Sequence, residues 1–133
     1  MHILSEAIYF PPIEEADEEG LLAIGGDLSA ERLLLAYRQG IFPWYSEDDP
    51  ICWWSPHPRF VLFPNELKVS KSMQQVINRK IFEFRINNNF EAVITNCQNI
   101  YRSGQQGTWI SDEMKAAYIQ LHKLGYAHSA EAW

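Results

Sequence analysis

The residues of this chain best suited to chemistry are aromatic. Residues 41–59 read IFPWYSEDDPICWWSPHPR and hold the tryptophans Trp44, Trp53 and Trp54 together with four prolines. Prolines at this density disfavour helices and central strands, so we predict a loop that carries rigid aromatic surface. Trp109 lies in GQQGTWISDE, between a glycine turn and a predicted helix. Tryptophans mounted on loops can stack on unpaired nucleotide bases.

The alternative role for these tryptophans is to fill the interface between small layers of structure. Trp53 and Trp54 are adjacent, so in an extended segment their side chains point in opposite directions. At least one of the two is therefore predicted to lie in the core. Trp44, which follows a proline, and Trp109, which follows a glycine turn, remain the candidates for stacking.

No complete catalytic constellation is evident in the sequence. Ser55 is followed by a proline, which does not fit the glycine-flanked turn of a hydrolase nucleophile. Cys52 and Cys97 have no obvious histidine partner, and neither they nor the four histidines show metal-ligand spacing. We therefore predict no metal site. The carboxylates of the acidic loops are expected to be solvated.

Charge is distributed unevenly along the chain. Residues 1–50 carry a net charge of −9 and residues 51–133 a net charge of +3, within an overall charge of −6. Such asymmetry is compatible with a local basic surface for nucleic acid, or simply with a solvated charged face. The basic side chains between residues 59 and 85, where the only acidic residues are Glu66 and Glu83, are Arg59, Lys68, Lys71, Arg79, Lys80 and Arg85.

Length and composition indicate a globular chain. With 133 residues, of which 47% are hydrophobic, it is long enough for one ordinary domain or two very small ones. The sequence contains no run of eighteen apolar residues and its N-terminus does not resemble a signal peptide. Two cysteines in no metal-like or redox spacing suggest reduced thiols, so we expect a cytoplasmic location.

Capping residues and apolar periodicity predict four helices. The first is capped by Ser29 and ends before Gly40, and the second runs from Ser70 through Arg79 with an apolar inner face. An apolar i, i+3, i+4, i+7 pattern begins the third at Phe90. Ser111 caps the fourth, which ends before Gly125. Its predicted inward-facing residues are Met114, Ala117, Tyr118 and Leu121.

Three segments have the pattern of strands. RFVLFP at residues 59–64 is predicted to be a short strand, and IFEFRI at residues 81–86 alternates as a half-buried strand. The final YAHSAEAW also alternates and stops at Trp133 without a turn or a polar tail. We therefore expect the chain to be a truncated product. Glu131 within this last strand is predicted to have a structural role.

Six sequence blocks, in order and in register, resemble the leucyl/phenylalanyl-tRNA–protein transferases of bacteria. They are GLLAIGGDLS, RLLLAYRQGIFPW, WWSPHPR, GTWI, AYIQLHKLG and AHSAEAW, and they extend from about Gly20 to Trp133. The resemblance implies an enzyme that transfers Leu or Phe from aminoacyl-tRNA to the α-amine of proteins that begin with Arg or Lys. This transfer marks those proteins for degradation.

The resemblance also implies roles for particular residues. Trp44 of the FPW block and Trp109 of the TWI block correspond to the tryptophans that hold the terminal adenosine of the tRNA, and WWSP is expected to support Trp44 from behind. The segment SKSMQQVINRK corresponds to the tRNA-stem contacts. The residues implied to contact the tRNA backbone are Lys71, Arg79, Lys80 and, outside this segment, Arg59. Catalytic residues are expected beyond Trp133, so none is assigned.

The implied fold is α+β. Residues 1–62 would form a small N-terminal α/β domain with the tryptophan-rich loop. Residues 63–133 would form the first strand, helices and strand of an acetyltransferase-like (GNAT) domain that is incomplete at its C-terminus. The reaction needs no cofactor, and no metal or membrane is expected among its partners. Two alternatives stay open. One is a non-catalytic tRNA- or RNA-binding module, and the other is an acetyltransferase that uses a thioester cofactor, although the glycine-rich pyrophosphate turn of the latter is absent.

Overall fold

The computed structural model describes residues 1–104 and 107–133. Those residues form helices and strands of mixed α+β type, which confirms the predicted fold class. None of the described helices is long and apolar enough to cross a membrane. In chain order the strands and α-helices are β1 (His2–Leu4), β2 (Leu21–Gly25), α1 (Ala30–Arg38), β3 (Phe42–Pro43), β4 (Cys52–Trp54), α2 (Lys71–Asn78), β5 (Phe84–Ile86), α3 (Phe90–Asn99), α4 (Asp112–Lys123) and β6 (Ala130–Ala132).

The first half of the chain forms a four-stranded sheet in the order β1-β2-β4-β3. β1 runs parallel to β2, whereas β4 is antiparallel to both of its neighbours. The prediction that residues 41–59 avoid a central strand is therefore wrong for β4. The prolines of this segment flank β4 rather than interrupt it, so Cys52 to Trp54 keep the N–H groups that the ladder needs. Pro43 lies in the edge strand β3, where the missing donor is tolerated.

A glycine allows the tryptophan segment to approach the start of β2. A Cβ atom at Gly20 would lie 2.5 Å from Cα of Pro56, and its φ of +96° is in the left-handed region. The backbone N–H of Ser55 donates to the Gly20 carbonyl at 2.7 Å. Any other residue at position 20 would push the WWSP block away from the sheet.

Helix α1 confirms its predicted boundaries. The Ser29 hydroxyl accepts a hydrogen bond from the Arg32 amide at 3.3 Å, which satisfies one of the free N–H groups of the first turn. At the other end, Gly40 adopts a φ of +75° just after the helix. Leu33 and Ala36 are fully buried against the sheet.

Helix α4 packs on the core of the first half of the chain. Ser111 caps it and Gly125 follows its end with positive φ, as predicted. Met114 and Leu121 are buried in the same cluster as residues of α1, β2 and β4. Burial of Met114 holds the start of α4, and with it residues 107–111, close to the tryptophan-rich segment. The division into domains at residues 1–62 and 63–133 stays a prediction.

Three predictions for residues 59–86 need correction. Residues 59–63 are not a strand, and Pro64–Glu66 form a 3-10 helix. Helix α2 begins after Ser70 as predicted, but Met73 and Ile77 on its predicted inner face are exposed. In β5, which pairs antiparallel with β6, the aromatic and aliphatic side chains also face solvent. The apolar pattern of α2 and β5 predicts which face of each element can be buried. Burial itself requires another layer of structure packed on that face, and the described residues do not supply one.

Candidate nucleic-acid interface

Trp44 and Trp109 stack directly on one another. Their ring centroids are 5.2 Å apart and their planes differ by 15°. Trp44 remains 47% exposed, whereas Trp109 is half-buried. The fold thus brings together the two tryptophans predicted as stacking residues from segments that are far apart in the sequence. An exposed indole face of this kind can stack on a purine base.

The backbone of Trp44 is held on both sides by β4. Its N–H donates to the Cys52 carbonyl at 2.9 Å, and its own carbonyl accepts from Trp54 Nε1 at 2.7 Å. Trp53 points the other way and is fully buried, with Nε1 donating to the Gly25 carbonyl at 2.9 Å and its ring edge-on to Phe10. The prediction that at least one of Trp53 and Trp54 lies in the core is confirmed for Trp53, and Trp54 supports Trp44 through its hydrogen bond.

Two tyrosines support the Trp109 side of the pair. The Tyr118 ring lies edge-on to Trp109 with centroids 6.4 Å apart, and its hydroxyl is hydrogen-bonded to that of Tyr37. Burial, together with the neighbouring Tyr37, raises the pKa of Tyr118 far above its ordinary value. Burial also raises the pKa of Tyr37, although the hydrogen bond with Tyr118 opposes this. Both hydroxyls therefore stay protonated and neutral at physiological pH.

The sequence did not reveal this tyrosine pair. The helical spacing of Tyr118 with Met114 and Leu121 correctly placed Tyr118 on the inward face of α4. Periodicity defines a face but not the group that meets it, so the contact with Tyr37 of α1 depends on how the two helices pack.

Three of the four cations predicted to contact tRNA backbone lie at the ends of α2. Lys71 begins α2, Arg79 is its C-cap, and Lys80 follows with a positive φ of 51°. All three are exposed. Arg59 instead folds back on the first half of the chain, where Nη1 donates to the Gly40 carbonyl at 2.7 Å and the guanidinium lies over the Phe42 ring. Lys71 therefore lies at one end of α2 and Arg79 and Lys80 at the other, and Arg59 also has a structural contact.

Glu131 forms the hydrogen bonds expected of a structural carboxylate. Its Oε1 accepts from the Asn89 amide at 2.8 Å and from the Ser129 hydroxyl at 2.7 Å, and its Oε2 accepts from Trp133 Nε1 at 2.8 Å. The amide of Asn89 is the main reason that the pKa of Glu131 is lowered. These contacts join β6 to the start of α3.

The described residues offer little other reactive chemistry. Burial, followed by the nearby charge of Asp49, raises the pKa of the Cys52 thiol, which makes it a poorer nucleophile. Cys97 is exposed on α3. Within residues 1–104 and 107–133, no three histidine, cysteine or acidic side chains come together in a way that could hold a metal ion. The stacked tryptophans are thus the most distinctive feature of this surface.

Sequence comparison finds matches along most of the chain. The profile of the leucyl/phenylalanyl-tRNA protein transferase family matches residues 61–133, and that of the N-terminal domain of these transferases matches residues 26–57. A leucyl/phenylalanyl-tRNA–protein transferase from Flavobacterium johnsoniae is 59% identical over 133 residues, which is 100% of this chain and 63% of the relative. A protein of the same name from Syntrophus aciditrophicus is 58% identical over 130 residues, which is 98% of this chain and 54% of the relative. The chain therefore spans between 54% and 63% of the length of these two relatives.

Proposed function

Because the chain belongs to the leucyl/phenylalanyl-tRNA–protein transferase family, we propose that it provides the tRNA-end binding surface of an aminoacyltransferase. The complete activity would move Leu or Phe from charged tRNA to the N-terminal α-amine of proteins that begin with Arg or Lys. The partners are then aminoacyl-tRNA and the acceptor protein. Tagging of this kind would place the protein in the cytoplasm, in a pathway of protein degradation.

The observation that carries this proposal is the stacked pair of Trp44 and Trp109. A single exposed tryptophan is common on protein surfaces, whereas two that meet from distant segments, each supported by hydrogen-bonded neighbours, form a prepared aromatic site. The terminal adenosine of tRNA is unpaired and presents both faces for stacking. We assign these two side chains to that base.

The reaction depends more on alignment of the α-amine with the ester carbonyl than on activation of either group. The aminoacyl ester of tRNA is already activated, and an α-amine with a pKa of about 7.7–8.0 is partly neutral at cytosolic pH. The nitrogen attacks the ester carbonyl, the C–N bond forms, and the ribose oxygen leaves with a proton. Holding the adenine would fix the position of that leaving oxygen relative to the amine. Neither ATP nor a metal is required for this step, and we assign no catalytic residue within the described residues.

The exposed cations near α2 suit the phosphate backbone of the tRNA. Lys71, Arg79 and Lys80 are solvent-accessible, and contacts of this type give binding that weakens as salt rises. Arg59 would add a further contact while it holds the Gly40 carbonyl. In this view the residues from 63 onwards belong to a GNAT-like transferase domain, and residues 1–62 form a smaller domain beside it.

A chimera tests the proposal. This chain would replace the matching residues of the Flavobacterium johnsoniae relative, and the product would be given labelled leucyl-tRNA and peptides that begin with Arg, Lys or Ala. We expect transfer to the Arg and Lys peptides only, and loss of transfer when both Trp44 and Trp109 are changed to alanine. A folded chimera that binds tRNA but transfers nothing would contradict the enzymatic function. Binding that ignores whether the tRNA is charged would instead favour a non-catalytic tRNA- or RNA-binding module.

A further inference from the structure

One face of the sheet formed by β5 and β6 is apolar and uncovered. The antiparallel register places Phe84 opposite Ala132 and Ile86 opposite Ala130. Because side chains alternate between the two faces of a sheet, these four lie on the same face. Phe84 is 69% exposed and Ile86 is 62% exposed, and both alanines are exposed as well. A sheet face of this composition normally packs against another layer of structure.

The opposite face of the same sheet is polar and has its own contacts. Arg85 lies opposite Glu131, donates from Nη2 to Glu83 at 2.8 Å, and places its guanidinium over the Trp133 ring. In the part of the chain that the structure describes, no third strand joins β5 or β6. Two strands on their own are only marginally stable in water. The apolar face is therefore where this sheet lacks a supporting layer.

The lack of cover extends along the chain before β5. Residues 60–86 carry twelve large apolar side chains that are exposed, and none of the described residues from 56 to 104 is buried. The buried hydrophobic core lies instead in residues 10–53 and 110–121. Exposed apolar side chains in this number are typical of an interaction surface.

The family profiles indicate which partner fits this surface. The profile of the N-terminal domain matches residues 26–57, which lie mostly in the buried part, whereas the profile of the transferase itself matches residues 61–133, which contain the uncovered face. The 133 residues of this chain equal 63% of the Flavobacterium johnsoniae relative, so about 78 residues of that relative have no counterpart here. A segment of that length is long enough for several helices and strands.

We propose that the apolar face of β5 and β6 docks the part of the transferase that this chain does not match, even when that part is a separate polypeptide. The partner would pack an apolar face of its own on Phe84 and Ile86. A second copy of this chain fits less well, because residues 59–85 carry a net charge of +4 and two such surfaces repel one another. Association of this kind goes beyond the proposed function, since it depends on apolar burial and on neither tRNA nor transfer.

The test produces the full 133-residue chain, with a purification tag, together with the unmatched segment of the Flavobacterium johnsoniae relative as a separate polypeptide. We expect the two to co-purify and to sediment as a complex with one copy of each. The backbone amides of β5 and β6 should gain protection from hydrogen exchange in the complex, because the partner covers them.

Three variants locate the contact by fluorescence-anisotropy titration of the labelled chain with the partner. Ile86→Glu should weaken the complex at least tenfold, since it replaces a buried isoleucine with an unpaired charge. Ala130→Glu, which changes the residue opposite Ile86, should have the same effect. Ile3→Glu is the matched control, because Ile3 is an isoleucine of β1 that is 82% exposed and lies outside this face, and it should bind normally. All three side chains are exposed in the chain alone, so circular dichroism should show an unchanged fold.

The outcomes separate docking from the proposed function. If the two polypeptides do not associate, or if Ile3→Glu weakens the complex as much as Ile86→Glu, docking at this face is wrong, while the adenosine site stands. If the chain alone sediments as a dimer that Ile86→Glu dissociates, the face belongs to a second copy, which also overturns the proposal. If the complex forms as expected but transfers no leucine from charged tRNA, docking is supported and the proposed transferase activity is contradicted.

Discussion

Replacing Trp109 with alanine tests whether adenine enters between the two tryptophans. The rings are 5.2 Å apart in the structure, whereas a base between them needs roughly 7 Å, twice the 3.4 Å spacing of stacked bases. Since the ring planes are no farther apart than their centroids, the pair must open by at least about 2 Å to form a sandwich, and it loses its own stacking when it does. Adenine on the outer face of Trp44 would need no opening.

The expected size of the effect follows from these contacts. Each base–tryptophan stack contributes about 2 kcal/mol, and separation of the pair costs about 1 kcal/mol. Trp109→Ala removes one stack but also removes the cost of separation, so the net loss is about 1 kcal/mol. Adenosine should then bind about fivefold more weakly. Trp44→Ala should have the same effect, because the two rings have equivalent roles in a sandwich.

Fluorescence titration with adenosine measures these affinities, and near-ultraviolet circular dichroism reports the pair itself. Two stacked indoles give a coupled dichroic signal, which should disappear when adenosine saturates the wild-type chain. Trp133→Ala, which removes another exposed tryptophan at the end of β6, serves as the control and should bind adenosine normally. An unchanged affinity in Trp109→Ala with a loss in Trp44→Ala would refute the sandwich, as would a coupled signal that persists at saturation.

Three further predictions concern the hydrogen bonds and buried side chains that support the site and the fold. Trp54→Phe removes the donor to the Trp44 carbonyl, so affinity for adenosine should fall by up to about tenfold, the usual worth of one hydrogen bond, without loss of fold as judged by circular dichroism. Absorbance titration should show Tyr118 still protonated above pH 10, where ordinary tyrosines ionise. Because its pKa is raised in the folded state, the free energy of unfolding should fall as pH rises past about 10, and Tyr118→Phe should reduce that fall and leave the part that comes from Tyr37. Glu131→Gln should lower the melting temperature at pH 7, and the deficit relative to wild type should shrink below about pH 4. The reason is that a carboxyl group with a lowered pKa stabilises the fold above its unfolded-state pKa, and this stabilisation is lost as pH falls through the folded-state pKa. A deficit that stays constant between pH 7 and acid pH would contradict the role assigned to the charge of Glu131.

Local features of the sequence were sufficient to predict where the helices begin and end. Ser29, Ser70 and Ser111 each cap the helix predicted for them, and the glycines after α1 and α4 adopt the positive φ that a helix end favours. Capping depends on residues within one turn, so it can be read without knowledge of the rest of the fold. The strands were harder to predict from the sequence. β4 is only three residues long, and its pairing with β2 is set by residues about thirty positions away.

The sequence by itself also determined which tryptophans could form a site and, through its motif blocks, the family to which the chain belongs. It did not determine that Trp44 and Trp109 touch, that Trp54 holds the Trp44 carbonyl, or that Tyr118 meets Tyr37. The contacts of Trp109 and Tyr118 arise because Met114 and Leu121 anchor α4 in the core of the first half of the chain, and the Trp54 hydrogen bond arises because β3 pairs with β4. Residue type and spacing fix what a side chain can do, whereas packing between distant elements decides which side chain it meets, and only the tertiary structure contains that information.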